Sequence, residues 1–127
     1  MGQQQLLLIV LTIILVGLAI VIGITVSNVY SKDSNRNSII SELTNFGSQA
    51  RKYYLETTQL GGGNQSFTGW SIPSGLSTTG SGTYTTSVTN QMVIIVGTGT
   101  EVGNDGVNNV KLTNYVTFAK DSIVINN

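Results

Sequence analysis

The sequence predicts an α+β protein in which a long N-terminal helix, apolar in its first half and amphipathic in its second, packs on a small antiparallel sheet of about four strands. Three observations predict it. Leu6 to Val26 form an almost unbroken apolar block, and no charged residue precedes Lys32. Apolar residues then recur at spacings of three and four. Beyond Phe67 the period changes to two. A period near 3.6 is that of a helix with one buried face, and a period of two is that of a strand.

The block has the length of a membrane span, since its residues at the rise of an α-helix cover roughly 30 Å, about the hydrocarbon thickness of a bilayer. Lipid and the matching helices of sister subunits accept the same side chains. Gly17 and Gly23 lie where helices would approach closely. A cleaved secretory signal fits less well, because such signals start with basic residues and carry a shorter apolar stretch. Ser27 to Asn37 is polar and contains Lys32, Asp33 and Arg36. With no proline to break it, the helix is expected to continue through this stretch to Leu60. Ile39, Leu43, Phe46, Ala50, Tyr53 or Tyr54 and Leu60 form its apolar face, and Ser41, Asn45, Ser48, Arg51 and Lys52 its wet face. Gly61-Gly62-Gly63 ends it.

In the sheet region Tyr84, Thr86 and Val88 alternate with Thr85, Ser87 and Thr89. Met92 to Val96 reads as a central strand. Val110, Leu112, Val116 and Phe118 alternate with Lys111, Thr113, Tyr115 and Thr117, and Ser122 to Asn126 closes the sheet. Turn chemistry separates these runs at Thr89-Asn90, at Gly97 to Asn109 with its Asp105-Gly106, and at Ala119 to Asp121. Ser74 to Gly82 reads as a loop. The organisation expected is a leader at 1–2, an apolar helix at 3–30, its amphipathic continuation at 31–60, and a loop plus sheet domain at 61–127.

Composition excludes several functions. Six Lys and Arg balance six Asp and Glu, and 9% of residues are charged, so no basic stripe awaits nucleic acid. There is no histidine and no cysteine, which removes the commonest general base and the thiol nucleophile. Glu42 and Glu56 fall roughly 21 Å apart along a helix, too far to share a substrate, and read as solvated surface groups. The chain is not expected to be an enzyme or to need a cofactor. The aromatic residues Tyr30, Phe46, Tyr53, Tyr54 and Trp70 read as packing or subunit contacts.

In layout the chain resembles a type IV pilin or a type II secretion pseudopilin. The resemblance is carried by the apolar helix with its amphipathic continuation, by Tyr53-Tyr54-Leu55 before Leu60-Gly61-Gly62-Gly63, by Phe67-Thr68-Gly69-Trp70 and Ile72-Pro73, and by the terminal sheet. It implies a structural subunit that is inserted in the inner membrane as a precursor, cut by a prepilin peptidase after Gly2 to leave Gln3 first, and built by pilus assembly machinery into an extracellular filament of its own copies. The sequence departs from the family at two points: the leader Met1-Gly2 lacks a basic residue, and Leu7 stands where the family carries a glutamate at the fifth mature position. Gln3, Gln4 and Gln5 offer uncharged amide hydrogen bonds instead, or simply wet the helix end. Gln3, Gln4, Gln5, Leu7, Gly17 and Gly23 are therefore the expected assembly residues.

Lys32 and Arg36 follow the apolar block, and no basic residue precedes it. The positive-inside tendency would then place the larger domain in the cytoplasm; with the missing glutamate and the missing basic leader, this motivates the alternative reading, a single-pass membrane protein whose small domain binds a partner or ligand. Two local patterns remain. The oxygen-rich stretch with Glu101, Asn104, Asp105 and Asn108 is a candidate Ca²⁺ loop, as a sheet-region loop is in some pseudopilins; it lacks EF-hand spacing, and a turn on Asp105-Gly106 explains it equally. Asn64-Gln65-Ser66 matches the N-glycosylation pattern.

Overall fold

The computed structural model describes residues 2–127. Its elements are α1 (Gly2–Leu55), a single 3₁₀ turn (Thr58–Leu60), β1 (Gly82–Val88), β2 (Val93–Val102), β3 (Asn109–Val116) and β4 (Asp121–Ile125). The chain divides into two compact units, one ending at Ser31 and the other spanning Lys32–Asn127.

In the second unit, α1 packs on a four-stranded antiparallel sheet in the order β1-β2-β3-β4. Each strand pairs with its sequence neighbour, as short turns between successive strands dictate. Ile39, Leu43, Phe46, Ala50 and Tyr54 are the buried helical face, spaced by three and four. Against them lie Tyr84, Val93, Ile95, Leu112 and Val116 from the sheet, with Phe67 and Trp70 from the connecting loop. Of the two tyrosines, Tyr54 is buried and Tyr53 partly so, its hydroxyl donating to Thr68 O at 2.8 Å.

The helix comes close because part of the sheet beneath it has no side chains. A Cβ on Gly97 would lie 2.7 Å from Ile39 Cγ2 and 3.0 Å from Tyr84 Cε1. This corrects the expected loop from Gly97 to Asn109: Gly97 to Val102 are strand, and the true loop is residues 103–108. Between Thr98 and Val102 the β2–β3 register shifts, and a bulge of this kind leaves ladder groups unpaired. Asn35 and Asn109 satisfy them. Asn35 Oδ1 accepts from Thr100 N–H at 3.1 Å and Glu101 N–H at 3.4 Å, and Asn109 Nδ2 donates to Gly99 O at 2.9 Å.

The helix also ends earlier than its periodicity suggests, at Leu55 rather than Leu60. Thr57 and Thr58 are poor helix formers, and the glycines let the chain return over the helix end. Glu56 N–H donates to Lys52 O, Gly63 N–H to Tyr53 O and Gln65 N–H to Tyr54 O, so three of the helix's last four carbonyls are answered, and Asn64 N–H reaches Glu56 O just beyond them. Gly61, Asn64 and Gln65 take positive φ to make this turn. Leu60 is consequently 75% exposed instead of joining the apolar face. Phe118 is likewise outside β3, in the turn after it, where its ring stacks on Tyr54 at 5.3 Å.

Candidate functional site: the apolar helix and the two ends of the α/β unit

Residues 2–30 are helical and exposed throughout. The large apolar side chains from Leu6 to Val29 stand between 48% and 69% exposed. Covering each of them would stabilise by about 1.5–3 kcal/mol, so this surface strongly favours an apolar environment. The polar side chains within it suit such an environment. Thr12 donates to Leu8 O at 2.7 Å and Thr25 to Val21 O at 3.0 Å, which leaves neither hydroxyl proton seeking water. These two internal bonds were not anticipated from the sequence, although the i−4 carbonyl is the usual partner of a helical threonine.

Gly17 and Gly23 meet nothing within 4 Å among the described residues. Six residues at about 100° each set them roughly 120° apart around the helix, so they would serve two different neighbours. Ala19, four residues before Gly23, completes the small-xxx-small spacing of closely approaching helices. Gln3, Gln4, Gln5 and Leu7 lie exposed in the first turns. Gly2 and Gln3, the expected processing point, are helical, while Met1 lies outside the described residues.

At the end of the α/β unit near Asn35, the 103–108 loop is built around Asp105. Its carboxylate accepts from Val107 N–H at 2.9 Å, Asn108 N–H at 2.8 Å and Asn108 Nδ2 at 2.8 Å. These bonds, with that of Val107 foremost, hold the Asp105 carboxyl far below its ordinary value. Asn127 fastens the loop from the other side, its Oδ1 accepting from Asp105 N–H and its Nδ2 donating to Asn108 O and Asn109 O. Asn104 Oδ1 accepts from Arg36 Nη2 at 3.0 Å. Of the four residues named for Ca²⁺, the structure thus joins Asp105 to Asn108, ties Asn104 to a guanidinium and leaves Glu101 exposed at the end of β2. Among the described residues no three His, Cys, Asp or Glu side chains converge.

At the opposite end, Ser48, Arg51, Lys52, Leu55, Glu56 and Phe118 line an open groove of about 500 Å³. Arg51 Nη2 lies 3.4 Å from Asp121 Oδ2, and Lys52 Nζ 3.7 Å from Glu56 Oε1. Burial pushes the Asp121 carboxyl up, with Arg51 opposing the rise. Glu42 departs from its expected solvated role: it is half-buried and accepts from the Tyr84 hydroxyl and, at 3.0 Å, from Thr79 Oγ1. Asn64 is exposed in the turn over the helix end.

Comparison with protein-family models, with curated proteins and with solved structures finds no match for the chain.

Proposed function

We propose that the chain is the structural subunit of a type IV pilus-like extracellular filament, inserted in a membrane as a precursor and assembled through its apolar helix. One observation carries the reading: residues 2–30 form a helix whose apolar side chains are all exposed, joined to an α/β unit with a complete core of its own. A helix of that composition needs lipid before assembly and sister helices, or lipid, afterwards. The motifs at the helix end and the loop beyond it resemble those of pilins and support the same reading.

The partners are then further copies of the chain, the membrane, a prepilin peptidase acting after Gly2 and an assembly machine. Purified cell-surface filaments, imaged and identified by peptide sequencing, should consist of this chain beginning at Gln3. Its recovery only as membrane-embedded monomers would favour the single-pass alternative with a partner-binding domain. Recovery of short filaments confined to a secretion apparatus would make it a pseudopilin.

A further inference from the structure

The seam between α1, β3 and β4 holds two buried oxygens that no donor answers. Asn114 is fully buried on the helix-facing side of β3. Its Nδ2 donates to Leu43 O at 3.1 Å, and its Oδ1 is buried without a partner among the described residues. A backbone carbonyl can only accept, which fixes the amide in this orientation, so exchanging its oxygen and nitrogen would not relieve the bare atom. Asp121 on β4 comes to the same place, for it pairs across the ladder with Val116, two residues beyond Asn114 on the same face. Its Oδ2 lies 3.4 Å from Arg51 Nη2, and its Oδ1 is likewise buried without a partner among the described residues.

Gly47 of α1 brings the two groups together. A Cβ there would lie 2.6 Å from Asp121 Oδ2 and 3.1 Å from Asn114 Nδ2, so both side chains close on the helix backbone over one residue. A space too tight for a methyl group admits no water on that side. Two buried acceptors without a donor are unfavourable as long as both stay bare. One proton removes both deficits, since a carboxyl that carries it on Oδ1 becomes a donor and Asn114 Oδ1 its acceptor.

We propose that Asp121 is a proton-operated latch between β4 and the body of the α/β unit: in the neutral form Oδ1–H donates to Asn114 Oδ1, and on ionisation the proton passes to solvent and the carboxylate relies on Arg51 alone. Arg51 is the one cation within ion-pair distance of the carboxyl among the described residues, and its side chain is 35% exposed, so solvent weakens its hold on the charged form. On α1, Lys52 is engaged by Glu56 at 3.7 Å. Lys111, the charged residue of β3, stands on the opposite face of the sheet from Asn114 by strand alternation. Lys120, next to Asp121 in the chain, is exposed and forms no ion pair among the described residues. Burial, which pushes the Asp121 carboxyl up, acts in the same direction as the hydrogen bond to Asn114. Strand β4 is at the edge of the sheet and pairs with β3 only, so the latch tightens this edge in acid and loosens it as pH rises. It acts inside the α/β unit and is independent of how the apolar helix is housed.

Two variants that remove the charge but differ in their donor separate the latch from burial alone. Asp121→Asn keeps an N–H for Asn114 Oδ1, and Asp121→Leu fills a similar volume without one. For the full chain in detergent at pH 7, the thermal midpoint of Asp121→Asn should stand about 4 °C or more above that of Asp121→Leu. A second measurement needs no variant. In the wild type the carboxyl carbon of Asp121 and the side-chain amide of Asn114, followed by NMR, should titrate together, with a midpoint above the ordinary carboxylate value of about 3.9. A midpoint of melting for Asp121→Leu equal to or above that for Asp121→Asn would overturn the latch, as would an Asn114 amide that ignores the titration of Asp121. A long-lived water bound to the Asn114 side chain at every pH would put a water molecule in the proton's place and overturn it as well.

Discussion

A side chain at position 99 has nowhere to go, since a Cβ there would meet Asn35 Oδ1 and lie 2.9 Å from Ile39 Cδ1. Gly99→Ala should therefore cost about 1–3 kcal/mol, the usual penalty for overfilling a packed site. The thermal midpoint in detergent should fall by about 4 °C or more, while Gly80→Ala, in open space, leaves it unchanged. Equal midpoints would remove the close approach of helix and sheet. Asn35 itself was hidden in the sequence, inside a polar run that reads as solvated, because nothing in periodicity reveals that a bulge 65 residues away needs an acceptor. Asn114 was hidden for the same reason. It is fully buried in β3, with Nδ2 donating to Leu43 O at 3.1 Å.

Two carboxyls should give opposite pH slopes. The Asp105 carboxyl is depressed by its hydrogen bonds. Its contribution to stability is present above the unfolded value near 3.9 and is lost as pH falls through the lower folded value. Asp105→Asn keeps an acceptor but no charge, so the wild type's advantage in thermal midpoint should shrink as pH is lowered from 5 to 2. The Asp121 carboxyl is raised by burial. Its contribution is present below about 3.9 and is lost as pH rises through the folded value, so Asp121→Asn should gain on the wild type between pH 3 and 7. Parallel slopes for the two variants would contradict both assignments.

At the scale of elements, the helix and the identity of the strands follow from periodicity, and their ends do not. Helix α1 stops at Leu55 because the chain folds back and Gly63 N–H and Gln65 N–H take over the carbonyls of Tyr53 and Tyr54, an arrangement set by turn geometry rather than by the apolar pattern. Strand β2 continues through Gly97 and Gly99, residues that signal a loop in sequence and here make room for Ile39 and Asn35. The glycines of the apolar helix permit a cleaner test. Gly17 and Gly23 touch nothing within 4 Å among the described residues, so Leu at either position strains no contact inside the chain and raises helix propensity. Gly17→Leu and Gly23→Leu should insert in membranes at wild-type levels and yield less filament, because close helix approach is blocked. Normal filament yield from both would remove the glycines from the subunit interface.

At the scale of the whole molecule, the proposed filament reading draws its cohesion from the apolar helix. The apolar helix carries no Asp, Glu, Lys or Arg before Lys32, so its side-chain packing involves no ion pair for salt to screen. Filament mass sedimented between pH 3 and 10, and up to about 1 M salt where screening acts over about 3 Å, should stay constant. Dissociation in that range would mean that ion pairs hold the subunits together. Leu7 is where this is most directly tested. It is exposed in the first turns of α1 and, on the proposed reading with cleavage after Gly2, stands at the position where pilins carry a glutamate. An unpaired carboxylate buried among sister helices costs several kcal/mol. Leu7→Glu should therefore reduce sedimented filament mass at pH 7 and recover part of it at pH 4, where the carboxyl begins to take up a proton and the buried charge is lost. An increase in mass at pH 7 would instead place a neighbour's terminal amine within reach of position 7, and would give this chain the ionic register that its own sequence omits.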